Sequence, residues 1–143
     1  MADIYSKRAR SALMARVKNK NTRPELAVRK FLHSRGFRYR LHCRHLPGCP
    51  DLVLKKYRTV IFVNGCFWHH HDECKRAALP TSRVRFWKTK IFGNVARDAA
   101  RLAELNGMGW KSLVIWECQT GIEHKLTLAL GPLLSRYRNR SGH

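Results

Sequence analysis

Residues 64–74 place two cysteines, three histidines and two adjacent aromatic residues within eleven positions, directly after an apolar segment. Thiolate and imidazole groups are the ligands that zinc prefers in tetrahedral protein sites. The short spacing of Cys66, His71 and Cys74 therefore predicts three ligands of such a site. We expect Cys118 to be the fourth ligand, because it follows a second apolar segment that would lie beside the first if the two strands are sheet neighbours.

Phe67 and Trp68 lie inside this predicted metal-tied loop. A loop is a poor place for core packing, and large flat side chains on loops commonly contact a ligand. We therefore expect both rings to stack on an external partner.

The composition indicates what that partner is. The chain has 29 Lys and Arg against nine Asp and Glu, a formal charge of +20 on 143 residues, spread from Lys7 to Arg140. Nucleic acid and an anionic membrane both satisfy this charge. However, the sequence shows no long basic amphipathic helix, lipidation signal or signal peptide, and no apolar run of about 20 residues. We expect a cytoplasmic protein that binds nucleic acid.

The length of 143 residues favours one domain around a single core. Five cysteines without an export signal indicate reduced thiols and metal binding instead of disulfides. Cys43 and Cys49 lie outside the predicted zinc site. We expect them to be a buried thiol and a loop thiol without function.

The elements that must position this loop follow an α/β order. One helix opens with Thr22 as N-cap, Pro24 in the first turn and Glu25 three residues after the cap, and another is capped by Ser82 and interrupted by Gly93. A mixed sheet flanked by helices is the expected packing. Periodicity predicts helices at 6–17, 22–36, 82–106 and 126–137, and strands at 37–42, 51–54, 59–63 and 111–116, with a basic turn at 55–58.

Carboxylates are scarce, and an enzyme that holds Mg²⁺ near a phosphodiester needs them. Asp51 stands at the rim of a core strand, where a partly buried carboxylate needs a partner. Asp98 borders the apolar stripe of its helix and can reach inward to a histidine. The carboxylates placed to serve a site are Glu25, Asp51, Asp98 and Glu117.

Several of these residues also have a purely structural interpretation. Glu25 completes a capping box, and Asp98 has basic residues beside it at positions 97 and 101. A histidine such as His69 is more often a loop or core residue than a catalytic one. Trp110 and Trp116 are expected in the core.

Four blocks of this sequence closely resemble one known family. They are Leu46-Pro-Gly-Cys-Pro-Asp51-Leu-Val, Val60-Ile-Phe-Val-Asn-Gly-Cys-Phe-Trp-His69, Phe86-Trp87-x-x-Lys90-Ile-x-x-Asn94-x-x-Arg97-Asp98, and Arg10-Ser11-x-x-Met14 with Thr22-x-Pro24-Glu25. The family is that of the very short patch repair endonucleases, or Vsr, and the resemblance covers residues 6–118. It implies a restriction-endonuclease-like fold and Mg²⁺-dependent nicking of one strand of duplex DNA beside a T:G mismatch, the lesion left when 5-methylcytosine deaminates.

The resemblance also implies catalytic roles. Asp51 and the main-chain carbonyl of Val63 would bind Mg²⁺, with two ions expected, and Glu25 would approach the metal through water. His69, oriented by Asp98, would serve as general base, since imidazole exchanges protons near neutral pH. Asn64 stands where the family usually has a histidine near the scissile phosphate, and Leu13 stands where asparagine is common.

DNA contacts are implied in the same way. Phe67, Trp68 and Trp87 would wedge into the base stack beside the mismatch, which costs least where pairing is already weak. The residues implied to contact DNA are Met14 in an N-terminal helix within 1–20, Phe67, Trp68, Trp87, Lys90 and Asn94. Residues 119–143 would form a basic C-terminal helix and tail. The implied protein is a nucleoid-associated monomer that works with mismatch-repair proteins and a repair DNA polymerase.

Two other functions are compatible with the sequence. The first is a zinc-tied protein that binds mismatched DNA without cutting it, if Asn64 disables the site. The second is a nicking nuclease of the same fold that has relaxed mismatch or sequence specificity.

Overall fold

A computed structural model describes residues 21–141 of the protein. The predicted helix at 6–17, with Leu13 and Met14, lies outside the described residues. Among the described residues, no helix has both the length and the apolar character needed to cross a membrane. The helices are α1 (Arg23–Ser34), α2 (Val84–Gly107), α3 (Glu123–Ala129) and α4 (Gly131–Ser141), and the strands are β1 (Arg40–Leu41), β2 (Leu52–Leu54), β3 (Thr59–Asn64) and β4 (Lys111–Trp116).

The strands form a mixed sheet with the order β1-β2-β3-β4. β1, β2 and β3 pair antiparallel, whereas β3 and β4 pair parallel, so a crossover connection is required between them. Helix α2 lies within that connection. The predicted mixed sheet flanked by helices is therefore confirmed, and β3 and β4 are neighbours as expected.

Helix α1 starts where its capping residues predict. The Thr22 hydroxyl accepts a hydrogen bond from the Glu25 N–H at 3.3 Å, and the Glu25 carboxylate accepts one from the Asn21 N–H at 3.1 Å. Gly36, with φ of 82°, follows the end of the helix in the left-handed conformation that glycine adopts without strain. The cap also fixes Glu25 at one end of the sheet.

Helices cover both faces of the sheet. Side chains alternate along each strand, so Leu52 and Leu54 face one side and Val53 faces the other. The first face packs against α1, α3 and α4 through a cluster of apolar side chains, and the second packs against α2. The first cluster contains Val28, Phe31, Leu32, Phe37, Leu52, Leu54, Tyr57, Ile61, Ile115, Leu126, Leu130 and Leu133, and the second contains Leu46, Val53, Val60, Leu105 and Trp110.

The first strand is shorter than predicted. Only β1 of the predicted segment 37–42 pairs with β2, and Phe37 packs in the core instead. The register places residues 37 and 38 opposite Lys55–Tyr57, which form a short 3₁₀ helix and offer no strand to pair with.

Helix α2 also differs from the prediction. Its N-cap is Arg83, in the left-handed region with φ of 53°, and not Ser82. The helix continues through Gly93, where an interruption was expected. A glycine inside a helix costs about 1 kcal/mol relative to alanine. Burial of Ile91 and Leu105, which each contribute roughly 1.5–3 kcal/mol, offsets that cost.

The helix predicted at 126–137 is two helices, α3 and α4, which meet at Leu130. Pro132 lies in the first turn of α4. Proline lacks an N–H and clashes with the preceding turn inside a helix, but it fits a first turn. The helix therefore breaks at Leu130, although the apolar residues keep a helical spacing on both sides of the break.

Candidate active site and metal centre

A cleft of about 660 Å³ opens where the chain enters β2 and leaves β3. α1 contributes one wall, α2 another, and the loop after β3 a third. All the residues proposed for catalysis from the sequence line this cleft, and they are Glu25, Asp51, Asn64, His69 and Asp98. Val63, the predicted DNA contacts Phe67 and Trp68, and the further candidate carboxylate Glu117 also line it.

Asp51 lies immediately before β2 and faces β3. Its Oδ2 accepts a hydrogen bond from the Val63 N–H at 2.7 Å. Burial, together with the adjacent Glu25 carboxyl, raises the pKa of Asp51 to about 7, although the Val63 N–H acts in the opposite direction. Two carboxyl groups held together out of water favour a bound cation.

Val63 presents its main chain to the same point. In a β-strand, the N–H and C=O of one residue point to the same side. Since the Val63 N–H reaches Asp51, its carbonyl also faces that side. Asn64, the last residue of β3, is buried and lines the cleft.

Glu25 serves both the helix cap and the cleft. Its side chain is 2% exposed. One oxygen forms an ion pair with Arg29, and the other lies 2.9 Å from His42 Nε2. Glu25 therefore caps α1 and also lines the cleft, while its role in catalysis stays a prediction.

Sequence reasoning missed His42. It follows β1, and its N–H donates to the Asp51 carbonyl at 3.0 Å. The antiparallel register that pairs Leu41 with Leu52 brings residue 42 beside residue 51. The sequence predicts both strands, but it does not give the register between them, and that register is what places His42 beside Asp51.

His69 and Asp98 form a hydrogen-bonded pair across the cleft, with Nδ1 2.6 Å from Oδ2. The loop after β3 carries the histidine, and α2 carries the aspartate. The neighbouring arginine side chains bond elsewhere and not to the Asp98 carboxylate. Arg97 bonds to Asn94, and Arg101 pairs with Glu104. The structure thus brings together the two residues that the resemblance paired.

An aromatic cluster borders the cleft beside His69. Phe67, Trp68 and Trp87 have ring centroids 5.1 to 6.1 Å apart, and all three side chains are partly exposed. Phe86, which was not singled out as a DNA contact, lies 5.1 Å from Trp87 and is 43% exposed. It extends the same apolar surface.

Helix α2 also holds this cluster in place. The Asn94 amide donates to the Trp68 carbonyl at 2.9 Å. Lys90 is exposed on the same helix. The structure therefore assigns Asn94 a contact that fixes the aromatic loop, and leaves the Lys90 side chain open to solvent.

The second cluster of ligand atoms contains the four predicted zinc ligands. The ligand atoms of Cys66, His71, Cys74 and Cys118 all lie within 4.8 Å of one another. His71 Nδ1 is 3.6 Å from Cys66 Sγ and 3.4 Å from Cys118 Sγ. Cys118 reaches the site because β3 and β4 are parallel neighbours that pair Asn64 with Trp116.

The chemistry of this cluster fits a soft dication. Burial and the adjacent thiols raise the pKa of Cys66 to about 12, whereas the Arg76 N–H lowers the pKa of Cys74. Three converging sulfur atoms and one imidazole nitrogen supply the four corners of a tetrahedral site, and a bound dication would favour the thiolate form of Cys66 despite its burial.

Trp116 packs against the cysteine–histidine cluster and is not the core residue that was predicted. Its ring stacks on His71 with centroids 4.3 Å and planes 8° apart, and its side chain is only partly buried. It ends β4, where the sheet meets the loop. Trp110, in contrast, is in the core as predicted.

The remaining cysteines are separate from this cluster. Cys43 is partly buried, with its sulfur 3.2 Å from His45 Nε2. Cys49 is exposed and lines the cleft, two positions from Asp51.

The amino-acid sequence is similar to those of known DNA endonucleases. The family described as DNA mismatch endonuclease Vsr matches residues 2–76. The Type II nicking enzyme V.XorIIP of Xanthomonas oryzae pv. oryzae is 47% identical over 139 residues, covering 97% of this chain and 96% of that protein. The Type II nicking enzyme V.NmeAIP of Neisseria meningitidis is 44% identical, covering 83% and 84%. The DNA mismatch endonuclease Vsr of Escherichia coli K12 is 40% identical, covering 89% and 81%.

Proposed function

The chain belongs to the Vsr family of DNA mismatch endonucleases, and from this premise we propose that it nicks one strand of duplex DNA beside a T:G mismatch in a Mg²⁺-dependent reaction. The observation that carries the proposal is one cleft lined by a carboxylate pair, a His–Asp pair and an aromatic cluster. The proposed fold is restriction-endonuclease-like.

His69 is the proposed general base. Asp98 accepts the hydrogen bond from its Nδ1–H, which leaves Nε2 as the proton acceptor. A water molecule between Nε2 and the scissile phosphate would lose its proton to this nitrogen as it attacks. Asp98 also stabilises the imidazolium ion that results.

Asp51 and the Val63 carbonyl are the proposed Mg²⁺ ligands, with Glu25 acting through water. The raised pKa of Asp51 and the proximity of Glu25 support a cation at this point. Mg²⁺ prefers oxygen ligands and retains part of its water shell. When bound, the proposed pair of ions would polarise the phosphodiester and stabilise the charge of the transition state.

Mismatch preference is assigned to the aromatic cluster. Phe67, Trp68 and Trp87 would enter the base stack, and unstacking costs less at a mismatch than at a paired step. Asn94 would hold the loop in place through its bond to the Trp68 carbonyl. Lys90 and the surplus of twenty positive charges would bind phosphates regardless of sequence. Met14, outside the described residues, would press from the minor groove.

The cysteine–histidine cluster is proposed to hold one structural Zn²⁺. Three sulfur donors and one nitrogen donor, with all four corners supplied by protein, are typical of structural zinc sites. The proposed protein acts as a monomer in the cytoplasm on nucleoid DNA, alongside mismatch-repair proteins and a repair polymerase.

A nicking assay tests this function. End-labelled duplexes that differ only in T:G or T:A at one position are incubated with the zinc-loaded protein, with Mg²⁺ or without it. Nicking of the T:G duplex only with Mg²⁺ supports the proposal. Equal nicking of both duplexes indicates a nuclease with relaxed specificity. Binding of T:G without any nicking indicates the binding protein instead.

A further inference from the structure

His42 occupies a constrained position at the acidic end of the cleft. It is a non-glycine residue in the left-handed region, with φ of 48°. Its N–H is bonded to the Asp51 carbonyl at 3.0 Å, and its side chain is 17% exposed. Strained backbone conformations persist where the surroundings fix them, and they concentrate at functional sites. His42 is therefore fixed at two points, since its main-chain N–H bonds to Asp51 and its imidazole bonds to Glu25.

Three possible ligand atoms converge here. One atom each from Glu25, His42 and Asp51 lies within 4.8 Å of the other two. His42 Nε2 is 2.9 Å from Glu25 Oε1. A single cation among them would have the Asp51 carboxylate and the His42 imidazole as ligands, with Glu25 acting through water as proposed above.

Neighbouring groups already bond to part of this cluster. Arg29 forms an ion pair with Glu25 Oε2, the oxygen that does not face His42, and one of its guanidinium nitrogens is 3.5 Å from His42 Nε2. The guanidinium thus offsets part of the Glu25 charge. Asp51 Oδ2 accepts a hydrogen bond from the Val63 N–H, and the Asp51 and Glu25 carboxyl groups also form a hydrogen bond with each other.

The mixed donor set determines which cation fits. Mg²⁺ selects oxygen ligands and gains little from imidazole. Imidazole suits Fe, Ni, Cu and Zn best, and Mn²⁺, like Mg²⁺, binds well to carboxylates. Mn²⁺ is the softer of these two ions, so it gains more than Mg²⁺ from an imidazole nitrogen. An imidazole beside two carboxylates therefore favours a transition-metal dication over Mg²⁺.

We propose that His42 completes, with Glu25 and Asp51, a mixed carboxylate–imidazole site that binds Mn²⁺ in preference to Mg²⁺. The proposal rests on the proposed function, because it concerns the cation bound in the same cleft. It adds a metal ligand and a metal preference to that site. A competing explanation is that His42 only holds Glu25 through a hydrogen bond.

Two substitutions separate these explanations. His42→Asn suits the left-handed backbone but is too short to replace the imidazole. His42→Gln has an amide that can still donate to Glu25, yet it lacks the imidazole nitrogen. His45→Gln is the matched control, because His45 is exposed and contacts Cys43 outside the cleft.

Electron paramagnetic resonance measures the binding of Mn²⁺ to the whole zinc-loaded chain without DNA. Competition with Mg²⁺ in the same experiment gives the Mg²⁺ affinity. We expect both His42 variants to raise the Mn²⁺ Kd by about tenfold or more relative to the Mg²⁺ Kd. His45→Gln should leave the ratio of the two constants unchanged. Parallel changes for both cations, or rescue of the ratio by His42→Gln, would overturn the proposal.

The nicking assay keeps this test distinct from that of the proposed function. If the unmodified protein nicks T:G duplex and the His42 variants keep its Mn²⁺ to Mg²⁺ ratio, the endonuclease function stands and the His42 ligand is rejected. If the unmodified protein nicks with neither cation, the endonuclease function is rejected. A selective loss of Mn²⁺ affinity in the His42 variants would still support the metal site.

Discussion

The carboxyl group of Asp51 is costly to ionise in the folded protein without a cation. Burial and the Glu25 carboxyl raise its pKa from the ordinary value of 3.8 to about 7. Between these values, the unfolded chain has released its proton while the folded chain retains it. The free energy of unfolding therefore falls as pH rises from about 4 to about 7, and it remains low above that range.

Replacing Asp51 by asparagine removes this ionisation and keeps an oxygen for the Val63 N–H. At about 1.36 kcal/mol for each pH unit between 3.8 and about 7, the full effect is about 4 kcal/mol. Because Asp51 is not fully buried, we expect Asp51→Asn to gain about 2 to 4 kcal/mol at pH 8. The Tm should rise by roughly 5 to 12 °C in a domain of this size.

Thermal unfolding of zinc-loaded protein in Mg²⁺-free buffer, followed by circular dichroism, measures this difference. The gain should be large at pH 8 and small at pH 4.5. Added Mg²⁺ at pH 8 should stabilise the unmodified protein and not Asp51→Asn, which should also fail to nick. Glu104→Gln is the control, because an exposed ion pair contributes about 0 to 1 kcal/mol. An equal gain at both pH values, or none at pH 8, would refute the argument that Asp51 is buried for a cation.

Three further substitutions test the rest of the site. Cys118→Ser should reduce bound zinc, measured by atomic absorption, from about one ion per chain and should lower the yield of soluble protein; full thermal stability without zinc would contradict a structural site. His69→Ala should slow T:G nicking by about a hundredfold or more while gel-shift affinity is retained, and an unchanged nicking rate would remove His69 from catalysis. Trp68→Ala should weaken T:G binding by about tenfold or more, since base stacking contributes roughly 1 to 3 kcal/mol, and should spare T:A binding. Trp110→Ala, the core control, should lower stability without that selectivity, and equal losses for both duplexes in the Trp68 variant would reject the wedge.

The cysteine–histidine cluster could be predicted because most of its information is local. Cys66, His71 and Cys74 lie within one short loop, whereas Cys118 required β3 and β4 to be neighbours. The sequence gives that neighbourhood only as a condition, and the parallel pairing of the two strands in the structure meets it.

His42 could not be predicted in the same way. Its place beside Asp51 depends on the register between β1 and β2. The alternation of residues 37–42 indicates a strand but does not determine where pairing begins. A shift of one residue would turn the imidazole to the other face of the sheet. The position of Trp116 could not be predicted either. The apolar pattern of its strand does not show that the sheet ends there, beside the loop that carries His71.

The loop from Cys66 to Cys74 carries residues proposed for both cleavage and mismatch recognition. His69, Phe67 and Trp68 all lie between Cys66 and His71, so the proposed base and two wedges lie between the same pair of proposed metal ligands. The loop is also tied from within, since the His71 N–H donates to the Cys66 carbonyl at 2.9 Å and the His69 N–H to the Gly65 carbonyl at 3.2 Å. Entry of the aromatic side chains into DNA would therefore set the position of His69 relative to the backbone beside the mismatch. Cleavage specificity can then arise from where the loop fits, without any base-specific contact by the catalytic residues.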